Sequence, residues 1–150
     1  MTKPLIVFVA TSLLTSGLLA ADNFGTPKEA EALVAKAVKA IGADRAATFR
    51  EITGKDKKWV DRDLYPVVYD MNGKCLAHGQ NERQAGKDLI EIVDADGKEF
   101  IKERVTLAGS KGKFWQDYKF TDPISKKVLP KSAYCEKSAD VIVCAGVYKH

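Results

Sequence analysis

The sequence predicts an α+β domain, and three observations carry that prediction. Apolar residues at helical spacing fill the first third of the folded region. Runs alternating apolar and polar residues fill the last third. Turn signals between those last runs are short enough for an antiparallel meander. Helices first and an antiparallel sheet after are the pattern of α+β architecture.

The chain has 150 residues, 45% hydrophobic and 29% charged. This is one domain with a real core, not a disordered or fibrous chain. Met1-Thr2-Lys3 followed by the uncharged apolar run Leu5 to Leu19 and the small residues Ala20-Ala21 has the layout of a secretory leader, cut after Ala20 or Ala21. The alternative is a retained membrane anchor, but the run is shorter than the roughly 20 residues a spanning helix needs. Residues 1–21 are therefore read as a signal peptide and residues 22–150 as a single exported domain. Loss of Lys3 leaves basic and acidic residues nearly balanced and intermixed, with no basic stripe for nucleic acid.

Thr26-Pro27-Lys28-Glu29 starts a helix with a capping box and proline in its first turn. Leu33, Val34, Ala37, Val38 and Ile41 give it an apolar face, and Gly42 is expected to end or bend it. A second helical piece spans Ala43 to Thr53 before Gly54. Leu64 to Asp70 reads as a strand, with Pro66 suggesting an edge or a bulge. Met71-Asn72-Gly73 turns the chain into a partner strand, Lys74 to Gly79. After a long connection, Asp96 is expected to cap a third helix that presents Phe100, Ile101, Val105 and Ala108 and ends at Gly109. Lys113–Thr121, Val128–Glu136 and Val141–Lys149 complete the sheet.

Cys75, Cys135 and Cys144 remain. A two-residue turn at Ala139-Asp140 places Cys135 opposite Cys144 on a non-hydrogen-bonded rung, close enough for a disulfide, which an exported protein would oxidise. Cys75 is then the odd, core thiol. The alternative is three free buried thiols.

The run Asp70-Met71-Asn72-Gly73-Lys74-Cys75-Leu76-Ala77-His78-Gly79 resembles the D-x-x-G-x-x-L-A-H hairpin of single Cache domains. Asn81 with Gly86-Lys87-Asp88-Leu89, Asp94-Ala95-Asp96-Gly97-Lys98, and Tyr118-Lys119-Phe120 with Asp122-Pro123 resemble later family motifs, in order. Pro130-Lys131-Ser132-Ala133-Tyr134 and Gly146-Val147-Tyr148 are similar to its closing strands. The resemblance implies a PAS-like fold, with a long N-terminal helix packed against a central antiparallel sheet and a ligand pocket on the other face. It implies an extracellular or periplasmic sensor of small organic acids or amines. With no second spanning segment and no kinase region in the sequence, the expected partner is a separate membrane receptor or histidine kinase. The competing reading is a docking or dimerisation module with no small-molecule ligand.

A carboxylate pocket needs a few convergent donors in an apolar wall. Lys131 offers charge, His78 a ring nitrogen, and Tyr65, Tyr118 and Trp115 donors and flat walls. Trp115 and Tyr118 lie three apart, so a regular strand puts them on opposite faces. Cys75 and His78 are also three apart and are expected to point apart. No metal or cofactor is expected: HExxH, paired CxxC, CxxCH and EF-hand loops are absent from the sequence. Neither GxSxG nor a P-loop is present, so capture rather than catalysis is expected. The pairs Asp61/Asp63 and Asp94/Asp96 read as solvated loop carboxylates.

Overall fold

The computed structural model describes residues 23–150; the predicted signal peptide, residues 1–21, lies outside the described residues. Helix α1 (Pro27–Ala43) begins with the expected capping box: Thr26 Oγ1 accepts from the Glu29 amide, and the Glu29 carboxylate accepts from the Thr26 amide at 2.8 Å. Gly42 does not end it. The break comes at Asp44, whose backbone turns extended and whose carboxylate accepts from the Ala47 amide at 3.0 Å, starting α2 (Arg45–Thr53). A side chain that caps a new helix thus outweighs a glycine that merely permits a bend.

The strands β1 (Pro66–Asp70), β2 (Cys75–His78), β3 (Lys113–Thr121), β4 (Val128–Ser138) and β5 (Val141–Tyr148) form one antiparallel sheet in the order β2-β1-β5-β4-β3. β1 is therefore interior, not an edge. Pro66 is tolerated because it is the first residue of the strand. The β1–β2 turn is held by Asp70 Oδ1, which accepts from the Asn72 and Lys74 amides. Gly73 there has φ +87°, and a Cβ on it would lie 2.8 Å from Ile90 Cδ1. An irregular register in this hairpin pairs Val68 with Ala77 but Tyr69 with Cys75. The extra β2 residue undoes strict alternation, so Cys75 and His78 share a face rather than pointing apart.

The third helix, α3 (Phe100–Lys111), starts later than expected. Asp94, not Asp96, organises the preceding turn: its Oδ1 accepts from the Asp96 and Lys98 amides and its Oδ2 from the Lys119 amide. Gly109 lies inside the helix, which ends at Gly112, in left-handed backbone at φ +73°.

The sheet separates two apolar layers. α1 and α2 cover Val68, Ala77, Val141, Val143, Ala145 and Val147. α3 and the segment after β2 cover Val67, Tyr69, Cys75, Phe114, Ala133, Cys135, Ile142 and Cys144. Cys135 and Cys144 are direct cross-strand partners and are disulfide-bonded, with Cα atoms 4.1 Å apart; Cys75 is free and buried. The turn closing that hairpin puts Ala139 at φ +50° between paired Ser138 and Val141. A link closing so short a loop contributes about 2–3 kcal/mol in the chain-entropy model. Reduction with a thiol, or the Cys135→Ala/Cys144→Ala double variant, is expected to lower unfolding stability by that amount. Equal denaturation midpoints with and without reductant would count against it.

Candidate functional site

Strand register assembles the site. Tyr118 on β3, Lys131 on β4 and Tyr148 on β5 occupy one rung and face the α3 side of the sheet. Lys131 is only 2% exposed. Its ammonium donates to Tyr65 Oη at 2.9 Å and to Tyr148 Oη at 3.2 Å. Tyr148 donates onward to the Thr121 carbonyl at 2.8 Å, so Tyr65 is the donor in the 3.0 Å contact between the two phenols. Nζ also lies 4.2 Å from the Tyr65 ring centre and 4.4 Å from that of Tyr148, in cation–π range. Burial opposes the Lys131 charge, but the phenol oxygens of Tyr118 and Tyr65 outweigh it and raise the lysine pKa above its ordinary value. Burial drives the phenols of Tyr65 and Tyr148 strongly upward, so both stay neutral.

Lys131 reaches this position because Gly146 has no side chain. A Cβ there would collide with the lysine stem, whose Cγ and Cδ would be 3.2 Å away. The stem therefore lies flat across β5. Gly146→Ala is expected to push Lys131 off its phenol partners and to cost about 1–3 kcal/mol by overpacking. A denaturation curve checks this, and an unchanged midpoint would show that the stem can move freely.

The second cation is Arg104, which was not anticipated. It is 2% exposed on the inward stripe of α3. Its Nε donates to Gln116 Oε1 at 2.9 Å, and Gln116 Nε2 donates to the Phe100 carbonyl and to Glu103. The guanidinium carbon lies 5.0, 5.3 and 5.5 Å from the ring centres of Tyr118, Tyr69 and Phe100. Its Nη2 is buried with no hydrogen-bond partner among the described residues. The Tyr118 phenol faces both cations. Burial works against its ionisation, yet the charges of Lys131 and Arg104 hold its pKa below the ordinary tyrosine value.

His78 stacks on Tyr65, with ring centres 5.5 Å apart. Its Nδ1 accepts from the Gln80 and Asn81 amides at 3.1 and 3.0 Å, which leaves the proton of the neutral ring on Nε2. Burial, then the charges of Lys131 and Arg104, lower its pKa from 6.5 to about 3. The neighbouring Cys75 thiol is pushed up to about 12 by burial and is inert as a nucleophile at neutral pH. The unfolded chain therefore takes up a proton at His78 below about pH 6.5 that the folded chain refuses. Stability linked to this group is complete above that pH and is lost as pH falls toward 3, with a slope approaching about 1.4 kcal/mol per pH unit. Denaturant curves between about pH 7 and 4 are expected to fall more steeply for the native chain than for His78→Gln. Parallel slopes would place a charged or exposed imidazole in the folded state.

Of the five residues singled out in the sequence, Lys131, His78, Tyr65 and Tyr118 come together, and Trp115 does not. Alternation along β3 turns Trp115 to the α1 side, where it is 40% exposed and packs beside Tyr134. It borders an open groove of about 550 Å³ there, shared with Pro27, Val147 and Lys149. Asp63 also departs from expectation. It is fully buried, with Oδ1 accepting from the Gly25 amide at 2.6 Å and Oδ2 lying 3.4 Å from His150 Nε2. Asp122 joins it, its carboxylate accepting from the Ile124 and Ser125 amides.

Residues 19–150 match the family model described as Single Cache domain 2. No curated protein matches the chain. Solved structures that share the fold include three sensor proteins. A methyl-accepting chemotaxis protein from Vibrio parahaemolyticus RIMD 2210633 is 23% identical over 81% of this chain and 86% of that one, with a TM-score of 0.67. A Cache chemosensory domain studied for carboxylic acid recognition is 22% identical over 82% and 92%, with a TM-score of 0.70. The periplasmic sensor domain of a chemotaxis protein is 22% identical over 82% and 90%, with a TM-score of 0.65.

Proposed function

The chain belongs to the Single Cache domain 2 family, and from that premise we propose that it is an exported, periplasmic binding module that captures a small organic acid at the Lys131 rung. It holds the ligand without converting it and acts through a separate membrane receptor or histidine kinase. The observation that carries this reading is the buried ammonium of Lys131, which donates to the phenols of Tyr65 and Tyr148 and to no carboxylate among its described hydrogen-bond partners. A buried charge without a counter-charge is costly. A ligand carboxylate would supply short charge-assisted bonds in place of the phenol contacts. The resemblance in fold to a domain that recognises carboxylic acids supports the same chemistry.

The test is thermal unfolding of the exported chain against small carboxylates, amines and amino acids. A ligand at 100 times its dissociation constant adds about 2.7 kcal/mol, a rise of several degrees for a domain of this size. The rise is expected with carboxylates and is expected to vanish in Lys131→Met. One observation favours a docking module instead: Tyr65, Tyr118 and Tyr148 already fill the space around Lys131, while the groove beside Trp115 is open. A folded protein that responds to none of the panel would select that reading.

A further inference from the structure

We propose that Asp63, Asp122 and His150 form a binding site for one divalent transition-metal ion of the zinc class, separate from the Lys131 rung.

The three residues are far apart in sequence, yet the fold brings one ligand atom of each within 4.8 Å of the others. Asp63 precedes β1, Asp122 follows β3 and His150 follows β5. Carboxylate and imidazole are ordinary donors for zinc. Both carboxylates are 0% exposed, which separates them from a solvated acidic cluster. Two buried carboxylates this close repel each other and call for positive charge between them. The ion pair described for Asp63 is with His150, and Asp122 takes its bonds from neutral amides.

One contact points to an ion rather than to a plain ion pair. Asp63 Oδ1 is satisfied by the Gly25 amide at 2.6 Å. The Oδ2 of the same buried carboxylate faces His150 Nε2 at 3.4 Å. That is longer than the roughly 2.7–3.2 Å of a nitrogen–oxygen hydrogen bond. It does match the edge of a tetrahedron, because ligand atoms about 2.0–2.1 Å from zinc stand about 3.3 Å apart. The donors are also held from behind. The Ile124 and Ser125 amides hold the Asp122 carboxylate at 3.2 and 2.9 Å, and the His150 ring stacks on Phe24 with centres 3.5 Å apart. Outer contacts of this kind fix the orientation of metal ligands. A carboxylate oxygen has two lone pairs, so each aspartate can keep its amide bond while it binds. The His150 side chain is 25% exposed, which leaves a way in for the ion and room for water as a fourth ligand. An ion held there ties the residues after β3 and after β5 to the segment before β1.

Calorimetric titration with zinc chloride tests the proposal, on the exported chain without a histidine tag, disulfide intact, stripped with chelator and desalted. One zinc is expected to bind per chain. Magnesium at the same concentration is expected to give no comparable heat, since imidazole suits transition metals. His150→Ala and Asp122→Asn are each expected to weaken zinc by about 100-fold or more, beyond the cost of losing an outer contact. Zinc at 100 times its dissociation constant is expected to raise the thermal midpoint by several degrees in the native chain and not in His150→Ala. If Asp122→Asn does not fold, His150→Ala and His150→Gln decide, because they change only a partly exposed ring. Lys131→Met is expected to leave zinc affinity unchanged, so this site and the organic-acid site stand or fall separately. No zinc binding, or binding that survives the His150 and Asp122 substitutions, would overturn the proposal and leave His150 as no more than an ion-pair partner of Asp63.

Discussion

A lysine ammonium on an interior strand, closed off from water, sets conditions that much of this molecule is arranged to meet. Lys131 needs acceptors, and a strand supplies none from its own backbone once the ladder is formed. Tyr65 and Tyr148 provide them, and the proton order among these groups ends on the Thr121 carbonyl. The stem needs a flat path, which Gly146 leaves open on β5. The segment before β1, the end of β3 and the last residue of β5 are thus committed to one amino group. Substitutions among them are not independent, because each changes the partners available to the others.

The two faces of the sheet divide their work. The α1 side is aliphatic, built from Val68, Val141, Val143 and Val147 under Ala30, Val34 and Ala37, and it holds shape. The α3 side is aromatic and polar, with two cations, a neutral imidazole and a free thiol. Phe24, Gly25 and His150 come together beside the segment that precedes β1. Arg62 donates to the Phe24 carbonyl, Asp63 accepts from the Gly25 amide, and His150 stacks on Phe24 with ring centres 3.5 Å apart while approaching Asp63. Tyr148 in the rung is two residues from His150.

Much of this was legible in the sequence, and the failures have physical causes. The capping box at Thr26 and the disulfide rung follow from local rules and strand counting, and the layer order from the family resemblance. Lys131, Tyr65, Tyr118 and His78 were singled out from residue chemistry and family resemblance. The warning about Trp115 came from simple alternation, and alternation held along β3. It failed in β2, where one extra residue in the hairpin brought Cys75 and His78 to one face. The helices run past Gly42 and Gly109 because both glycines have open space around them and nothing forces a break. Arg104 has a signal in the sequence: it falls at helical spacing among Phe100, Ile101 and Ala108, so a charge interrupts an apolar stripe. Asp63 left none, since its burial depends on Gly25 and His150 folding over it from far along the chain.

The phenols also bear on affinity. In the described arrangement Tyr65 and Tyr148 occupy the hydrogen-bonding positions of the Lys131 ammonium, so a ligand must compete with internal partners rather than with water. The apparent dissociation constant is then the intrinsic one divided by the fraction of molecules with the rung open. On the proposed reading, a site that its own tyrosines close would bind more weakly than its charges alone suggest but would discriminate more sharply. Neutral molecules and water gain little by displacing a phenol from an ammonium, whereas a carboxylate replaces a neutral acceptor with a charged one. On the organic-acid reading proposed above, selectivity for anions would come from the ligand-free arrangement itself, in which phenols rather than carboxylates accept from the Lys131 ammonium.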